Sequence, residues 1–201
     1  MRLKNEVRQE TVIKKSRFIA CLSPVFTEEE ARTYIEAIRK EYSDATHVCT
    51  AFIIGKNNEI QRSSDNHEPA GTAGVPMLEA LLHSGITNTC ACVIRYFGGI
   101  KLGAGGLIRA YSGAVTDALK DAAKLDTVLL DEWSVTYPYE LSGTLEGWLR
   151  RNVTIKDIQY HDQVTCYFET QLKEIPDTIR DLSRGTVQPV SMGQEEQEVD
   201  V

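Results

Sequence analysis

Two stretches of the chain concentrate the residue types that could do chemistry. The first is Ser64-Asp65-Asn66-His67-Glu68-Pro69-Ala70-Gly71-Thr72-Ala73-Gly74-Val75-Pro76. The second is Arg95-Tyr96-Phe97-Gly98-Gly99-Ile100-Lys101-Leu102-Gly103-Ala104-Gly105-Gly106-Leu107-Ile108-Arg109-Ala110-Tyr111. Glycine permits positive φ and close approach of a ligand or a second backbone. Both stretches run into segments with helical apolar spacing, so each is expected to end at a helix start, where free amides and the helix dipole favour an anion. In the first stretch Asp65 and Glu68 repel an anion and suit a metal, a sugar hydroxyl or a polar partner. The purely structural alternative is a tight loop whose carboxylates cap backbone amides. In the second stretch five glycines (Gly98, Gly99, Gly103, Gly105, Gly106) fall within nine residues, at a cost of roughly 0.5–1 kcal/mol each against alanine in regular structure. One reason for them is an amide-lined nest with Arg95, Lys101 and Arg109 supplying charge, and Tyr96 and Tyr111 supplying rings for base stacking. The other is close helix–sheet packing with the cations merely solvated.

Known phosphate motifs fail on inspection. Gly98 to Gly103 has P-loop glycine spacing, but Ala104 and Gly105 stand where Lys and Ser/Thr would hold phosphate and magnesium, and Ile108 occupies the third glycine position of a dinucleotide fingerprint. His47, His67, His83 and His161 form no metal-binding spacing, and Cys21, Cys49, Cys90, Cys92 and Cys166 contain no C-x-x-C. No metal and no cofactor are therefore expected, and the thiols read as buried and reduced. Asp65 with Glu68 could form an acid/base pair, although loop spacing fixes no distance between them. Ser63 and Ser64 have no base that spacing can identify. Lys14, Lys15 and Arg17 extend a basic patch or simply protect a strand edge.

The elements that must position these stretches are legible from periodicity. Glu10 to Val25 alternates about a basic break and reads as two strands or one bent strand, with Phe18, Ala20 and Leu22 on one face. Thr27 to Glu30 is a capping box that opens a helix through Tyr42. A strand over 47–55 pairs with 59–62 through the Asn57-Asn58 turn. A helix around Pro76 to Gly85 follows, then an unbroken apolar strand at Cys90–Ile94, expected to be central, and a long helix from about Gly105 to Ala123. The order is ββαββαβα. Residues 127–130 bridge to a second region. It reads βαββαβ, a ferredoxin-like order, whose last strand (187–192) lies at an edge because of Pro189. Residues 194–201 are acidic and expected to be disordered. The fold class is thus α+β, with domains 1–130 and 131–193 followed by the tail 194–201.

Composition sets limits on partners. The 201-residue chain has 42% hydrophobic residues and a net charge of −7. That charge lies wholly in residues 132–201, which hold 13 acidic and 6 basic residues. The N-terminal part is neutral overall and free to carry local basic patches, while the C-terminal part repels polyanions. No apolar run is long enough to span a bilayer and no secretory leader is visible, so a cytoplasmic protein is expected, with no membrane contact. Oligomeric state is not set by sequence.

Asp65-x-x-Glu68-Pro69-x-Gly71-Thr72-Ala73-Gly74-x-Pro76, followed by Arg95-Tyr96-Phe97-Gly98-Gly99-x-Lys101-Leu102-Gly103-x-Gly105-Gly106-Leu107-x-Arg109-Ala110-Tyr111, resembles the signature of the bacterial YigZ/YvyE branch of the IMPACT family. Lys15–Ala20 and Asp44–His47 resemble that family's early segments. The chain departs at His67, where the family usually has glycine. The resemblance implies a first domain like the second domain of ribosomal protein S5, also seen in domain IV of elongation factor G, and a ferredoxin-like second domain similar to domain V of that factor. It implies binding residues at Asp65, Glu68, Gly71, Thr72, Arg95, Tyr96, Gly98, Gly99, Lys101, Gly103, Gly105, Gly106, Arg109 and Tyr111. Eukaryotic relatives act in translational control through partner proteins. A proline-dipeptidase label carried by some members finds no metal-ligand constellation here. Three readings follow: a non-enzymatic translation factor touching RNA, the ribosome or a translation-related protein; an enzyme acting on a small phosphorylated metabolite or nucleotide; and an adaptor whose acidic second domain receives a basic partner.

Overall fold

Alternating apolar residues build the first unit around a sheet buried on both faces. The computed structural model describes residues 1–201 and divides into two units, Met1–Asp126 with Asp200–Val201, and Thr127–Val199. A two-residue strand β1 (Arg2–Leu3) precedes β2 (Val7–Ile13) and β3 (Ser16–Pro24), then α1 (Glu28–Glu41), β4 (His47–Ile54), β5 (Ile60–Ser64), α2 (Gly74–His83), β6 (Thr89–Tyr96) and α3 (Ala104–Lys120). The main sheet has the order β2-β3-β6-β4-β5, with all neighbours antiparallel. β6 is central, as its unbroken apolar run predicts. Phe18, Ala20 and Leu22 join Ala91 and Val93 in one core cluster with α2 and α3. Ile19, Cys21, Cys90, Cys92 and Ile94 face the opposite way, into a second cluster with α1. This is the period-two side-chain alternation of a strand expressed twice over.

Local chemistry sets the ends of these elements. Thr27 Oγ1 accepts the Glu30 amide at 3.1 Å, and the Glu30 carboxylate returns to the Phe26 amide at 2.7 Å. The expected break at Lys14-Lys15 is a two-residue hairpin turn, since Ile13 pairs with Ser16 and both lysines have positive φ, 47° and 66°. Such turns normally take Asn-Gly, and a non-glycine residue there costs roughly 1–2 kcal/mol.

The second unit contains most of β7 (Lys124–Tyr137), then α4 (Ser142–Asn152), β8 (Thr154–Tyr160), β9 (Val164–Thr170), α5 (Ile175–Leu182) and β10 (Val190–Asp200). β10 pairs with β7, β7 with β9, and β9 with β8. That is the strand order of a ferredoxin-like βαββαβ unit, and the fold is α+β.

Three expectations are corrected here. Residues 127–130 are no bridge: β7 runs unbroken through them, since Lys124 and Leu125 already pair with β1 while Asp131–Tyr137 pair with β9. The division falls after Asp126 rather than after residue 130. The acidic tail is not disordered, because 194–200 belong to β10, which starts at Val190 instead of Val187. Its charge is partly met by Lys156, 3.1 Å from Glu195, and by Lys4, 2.5 Å from Asp200. Composition alone could not anticipate either lysine.

Candidate functional site

Asp65 closes the entrance to α2. It sits just after β5, and its carboxylate accepts three backbone amides, from Gly71 at 2.8 Å, Ala73 at 3.0 Å and Gly74 at 2.8 Å. Burial alone would raise its pKa, but those three amides outweigh burial and hold it below the ordinary carboxylate range. Thr72 is buried and its hydroxyl donates to the Pro69 carbonyl at 2.6 Å. The anion site at this helix start is therefore filled by the chain's own carboxylate.

The entrance to α3 is built differently. Gly103 takes φ of 73°, a left-handed conformation that glycine adopts without penalty, and the helix begins at Ala104 with no side-chain cap and no acidic residue in its first turn. The preceding loop is pinned by neighbours: the Phe97 amide donates to Thr46 Oγ1 and the Gly98 amide to Ser16 Oγ, both at 3.1 Å. A Cβ on Gly98 would lie 2.1 Å from the Lys15 carbonyl, so that glycine is demanded by packing. Gly105 is different again. It is exposed, has no positive φ, and a Cβ there would meet nothing within 4 Å.

Between the two entrances lies a buried polar network. Glu68 Oε1 accepts Arg95 Nη1 at 2.5 Å and the Tyr111 hydroxyl at 2.8 Å, with His47 Nε2 at 3.9 Å. The His47 Nδ1 lies 2.9 Å from the Asn66 carbonyl. A carbonyl only accepts, so Nδ1 carries the proton. Burial, followed by the neighbouring Cys49 thiol and the Glu68 carboxylate, pushes the Tyr111 phenol far above its usual range, so it stays a donor. Burial likewise pushes the Cys49 thiol up to about 12, which rules out a ready thiolate. The Arg95 guanidinium carbon lies 5.5 Å from the Phe18 ring centroid and 5.5 Å from that of Phe97. Arg95 Nε is buried and has no hydrogen-bond partner, a state that costs about 1–3 kcal/mol where nothing binds.

Glu68 and Arg95 line a cleft of about 340 Å³ together with Lys101, Gly103 and Ala104, with Phe97, Leu102 and Leu107 as apolar lining. The two glycine-rich stretches thus meet. With Glu68 neutralised by Arg95, Lys101 leaves the cleft with one net positive charge.

Residues 14–119 match the Impact N-terminal domain. The chain belongs to the IMPACT family. It is 46% identical over 173 residues to the IMPACT family member YvyE of Bacillus subtilis, covering 86% of this chain and 79% of that protein. To the IMPACT family member YigZ of Escherichia coli it is 37% identical over 182 residues, covering 88% and 89%. A solved crystal structure of a hypothetical protein shares 33% identity and a TM-score of 0.58, covering 96% of this chain and 97% of that one.

In this IMPACT-family chain the segments behind the resemblance gather at one end of the sheet. Ser16 and Thr46 hold the 97–98 backbone, and His47 approaches Glu68. Of the sequence-predicted residues, Glu68, Arg95, Lys101 and Gly103 line the cleft. Tyr111 supports it through its hydrogen bond to Glu68. Asp65, Gly71 and Thr72 are occupied within their own loop.

Other predicted residues lie elsewhere. Tyr96 is on the opposite sheet face from Arg95, donating to Asp44 Oδ1 at 2.8 Å, with Arg17 over its ring at 5.2 Å. Tyr111 is fully buried and is therefore no stacking platform. Arg109 is exposed on α3, two residues or about 200° of helix turn from Leu107, so it faces away from the cleft. The suggested Asp65–Glu68 acid/base pair does not form, because one carboxylate holds amides and the other holds Arg95.

The expected binding residues did not include Phe97, Pro69, Leu102, Ala104 and Leu107, although all five lie within the two glycine-rich stretches. For Phe97 a signal existed: two residues after Arg95 on an extended strand, it had to share Arg95's face. His67 has φ of 68°, a left-handed conformation that strains a residue with a Cβ. In the second unit three carboxylates, Glu132, Glu169 and Glu195, approach one another within 4.8 Å. Lys156 lies 2.7 Å from Glu169 and 3.1 Å from Glu195, so a side chain already supplies the counter-charge.

Proposed function

We propose that the chain is a non-enzymatic accessory factor of translation, working in the cytoplasm, that binds RNA of the translation machinery through the glycine-rich face of its first unit. The observation that carries this reading is the set of exposed, unpaired cations around the open α3 entrance. Lys14 and Lys15 sit in the turn against which Gly98 packs, and Lys101 lies on the cleft. Phe97, 46% exposed, offers a ring for a base, as single-strand binders use. Family membership agrees with a translation-related role, which is what the resemblance in sequence implies. The acidic second unit is unsuited to a polyanion. No helix is long and apolar enough to cross a membrane.

Co-sedimentation with ribosomes and with single-stranded RNA tests the reading. Wild-type binding should weaken with salt, with a log–log slope of about −0.7 per phosphate contacted. The variant Lys101→Ala should bind less and lose about 0.7 from that slope, whereas Arg109→Ala, on the side of α3 turned away from the cleft, should leave it unchanged. Absence of wild-type binding at low salt would remove the reading, and salt-independent binding to ribosomes would favour a protein partner. The cleft's volume of about 340 Å³ also falls within the range of small-molecule sites, which keeps the enzyme reading testable. A metabolite and nucleotide panel with magnesium should leave the melting temperature flat if only nucleic acid is recognised.

A further inference from the structure

We propose that the cleft at the start of α3 is a seat for a single terminal phosphoryl group, a phosphomonoester dianion, held by Arg95, Lys101 and the first amides of the helix. This rests on the phosphate-binding part of the reading above, but not on RNA being the bearer. Three features meet at the cleft, and a fourth stands beside it in the first turn of the helix. α3 is a 17-residue helix whose start has neither a side-chain cap nor an acidic first turn, so its amides and dipole are available to an anion. Arg95 is 5% exposed and lines the cleft, yet its Nε has no partner, while its Nη1 is occupied by Glu68. Lys101 is exposed, lies on the same cleft and makes no ion pair. Gly105, in the first turn, has no packing or conformational reason to be glycine, which fits a position kept bare for close approach of a ligand to backbone.

The one acidic group in the wall does not veto an anion. Glu68 is paired with Arg95 and takes a further hydrogen bond from Tyr111. It fixes the guanidinium between the Phe18 and Phe97 rings, which keeps the remaining N–H donors in place. The cavity of about 340 Å³ is bounded by Phe97, Leu102 and Leu107. A wall of that kind suits the end of a chain or a small metabolite better than a polyanion passing through. The neighbouring α2 entrance acts as an internal control, because Asp65 already places an oxyanion there on three amides.

The test is titration of the full chain with inorganic phosphate, read by calorimetry and thermal shift at constant ionic strength, with chloride as control. Wild type should bind phosphate. Lys101→Ala should weaken binding about tenfold, the loss of one charge-assisted contact. Gly105→Asp should abolish it while raising or preserving the melting temperature, since a carboxylate in the first turn favours the helix and competes with the ligand. That variant separates loss of the site from loss of the fold. Three further arms identify the bearer: a sugar phosphate, a 5′-phosphorylated oligoribonucleotide and the same oligonucleotide with a 5′-hydroxyl. Preference for either phosphorylated ligand over the hydroxyl one supports the seat. Equal affinity for both oligonucleotides, unaffected by Gly105→Asp, overturns it even if RNA binding itself survives. Phosphate binding unchanged in both variants overturns it as well, leaving an adventitious ion only.

Discussion

The two glycine-rich helix entrances look alike in sequence and differ in physics. At α2, Asp65 reaches across its own loop and takes the amides of Gly71, Ala73 and Gly74. At α3, Gly103 leads directly into a helix with no side-chain cap and no acidic first turn, and Lys101 lines the same cleft. One entrance is a closed structural joint and the other is open to a guest. Glycine at a helix start therefore says little until the position of the nearest carboxylate is known. The joint also serves the open entrance, because the turn that Asp65 holds delivers Glu68 to Arg95 and Tyr111.

The largest test of this contrast is at Glu68. Glu68→Ala should destabilise the first unit by about 3–5 kcal/mol, because it leaves Arg95 buried without its partner. Urea unfolding would measure it, and a loss below about 1 kcal/mol would mean that Arg95 finds another acceptor. Next is Asp65→Ala, which should cost about 2 kcal/mol by leaving three amides without an acceptor. The same joint predicts acid sensitivity. Asp65 has a folded pKa below its unfolded value, so its contribution is fully present above the ordinary carboxylate pKa of about 4 and disappears as pH falls through the folded value. The stability gap between wild type and Asp65→Asn should accordingly close at low pH, and a gap that persisted there would assign the effect to something other than charge.

Smaller effects sharpen the comparison. His67→Gly should stabilise by about 1 kcal/mol, since φ of 68° strains histidine by more than glycine's extra chain entropy costs. A decrease in melting temperature would show that the imidazole makes a contact worth more than the strain. At the open entrance, Gly105→Ala should be neutral or stabilising by up to about 1 kcal/mol, because the added methyl meets nothing. Destabilisation there would put both entrances in the same class, and the contrast would fail.

The chain's own order of residues determined much of this. The apolar alternation of Phe18, Ala20 and Leu22, the unbroken run through β6, and the capping box at Thr27 predict elements that the structure contains. These signals are local, carried by residues a few positions apart, and period and capping follow from backbone geometry alone. The acidic tail misled because composition records charge without recording Lys4 and Lys156, which lie far away in sequence and close in space. The same limit governed the site. Nothing in the spacing of Asp65 and Glu68 revealed that one carboxylate would hold amides and the other a guanidinium, or that Tyr96 would turn to Asp44 on the far face of the sheet. Which group is left over to meet a ligand is a matter of who pairs with whom across tens of residues, and only the folded sheet brings β4, β6, α2 and α3 near enough to decide it.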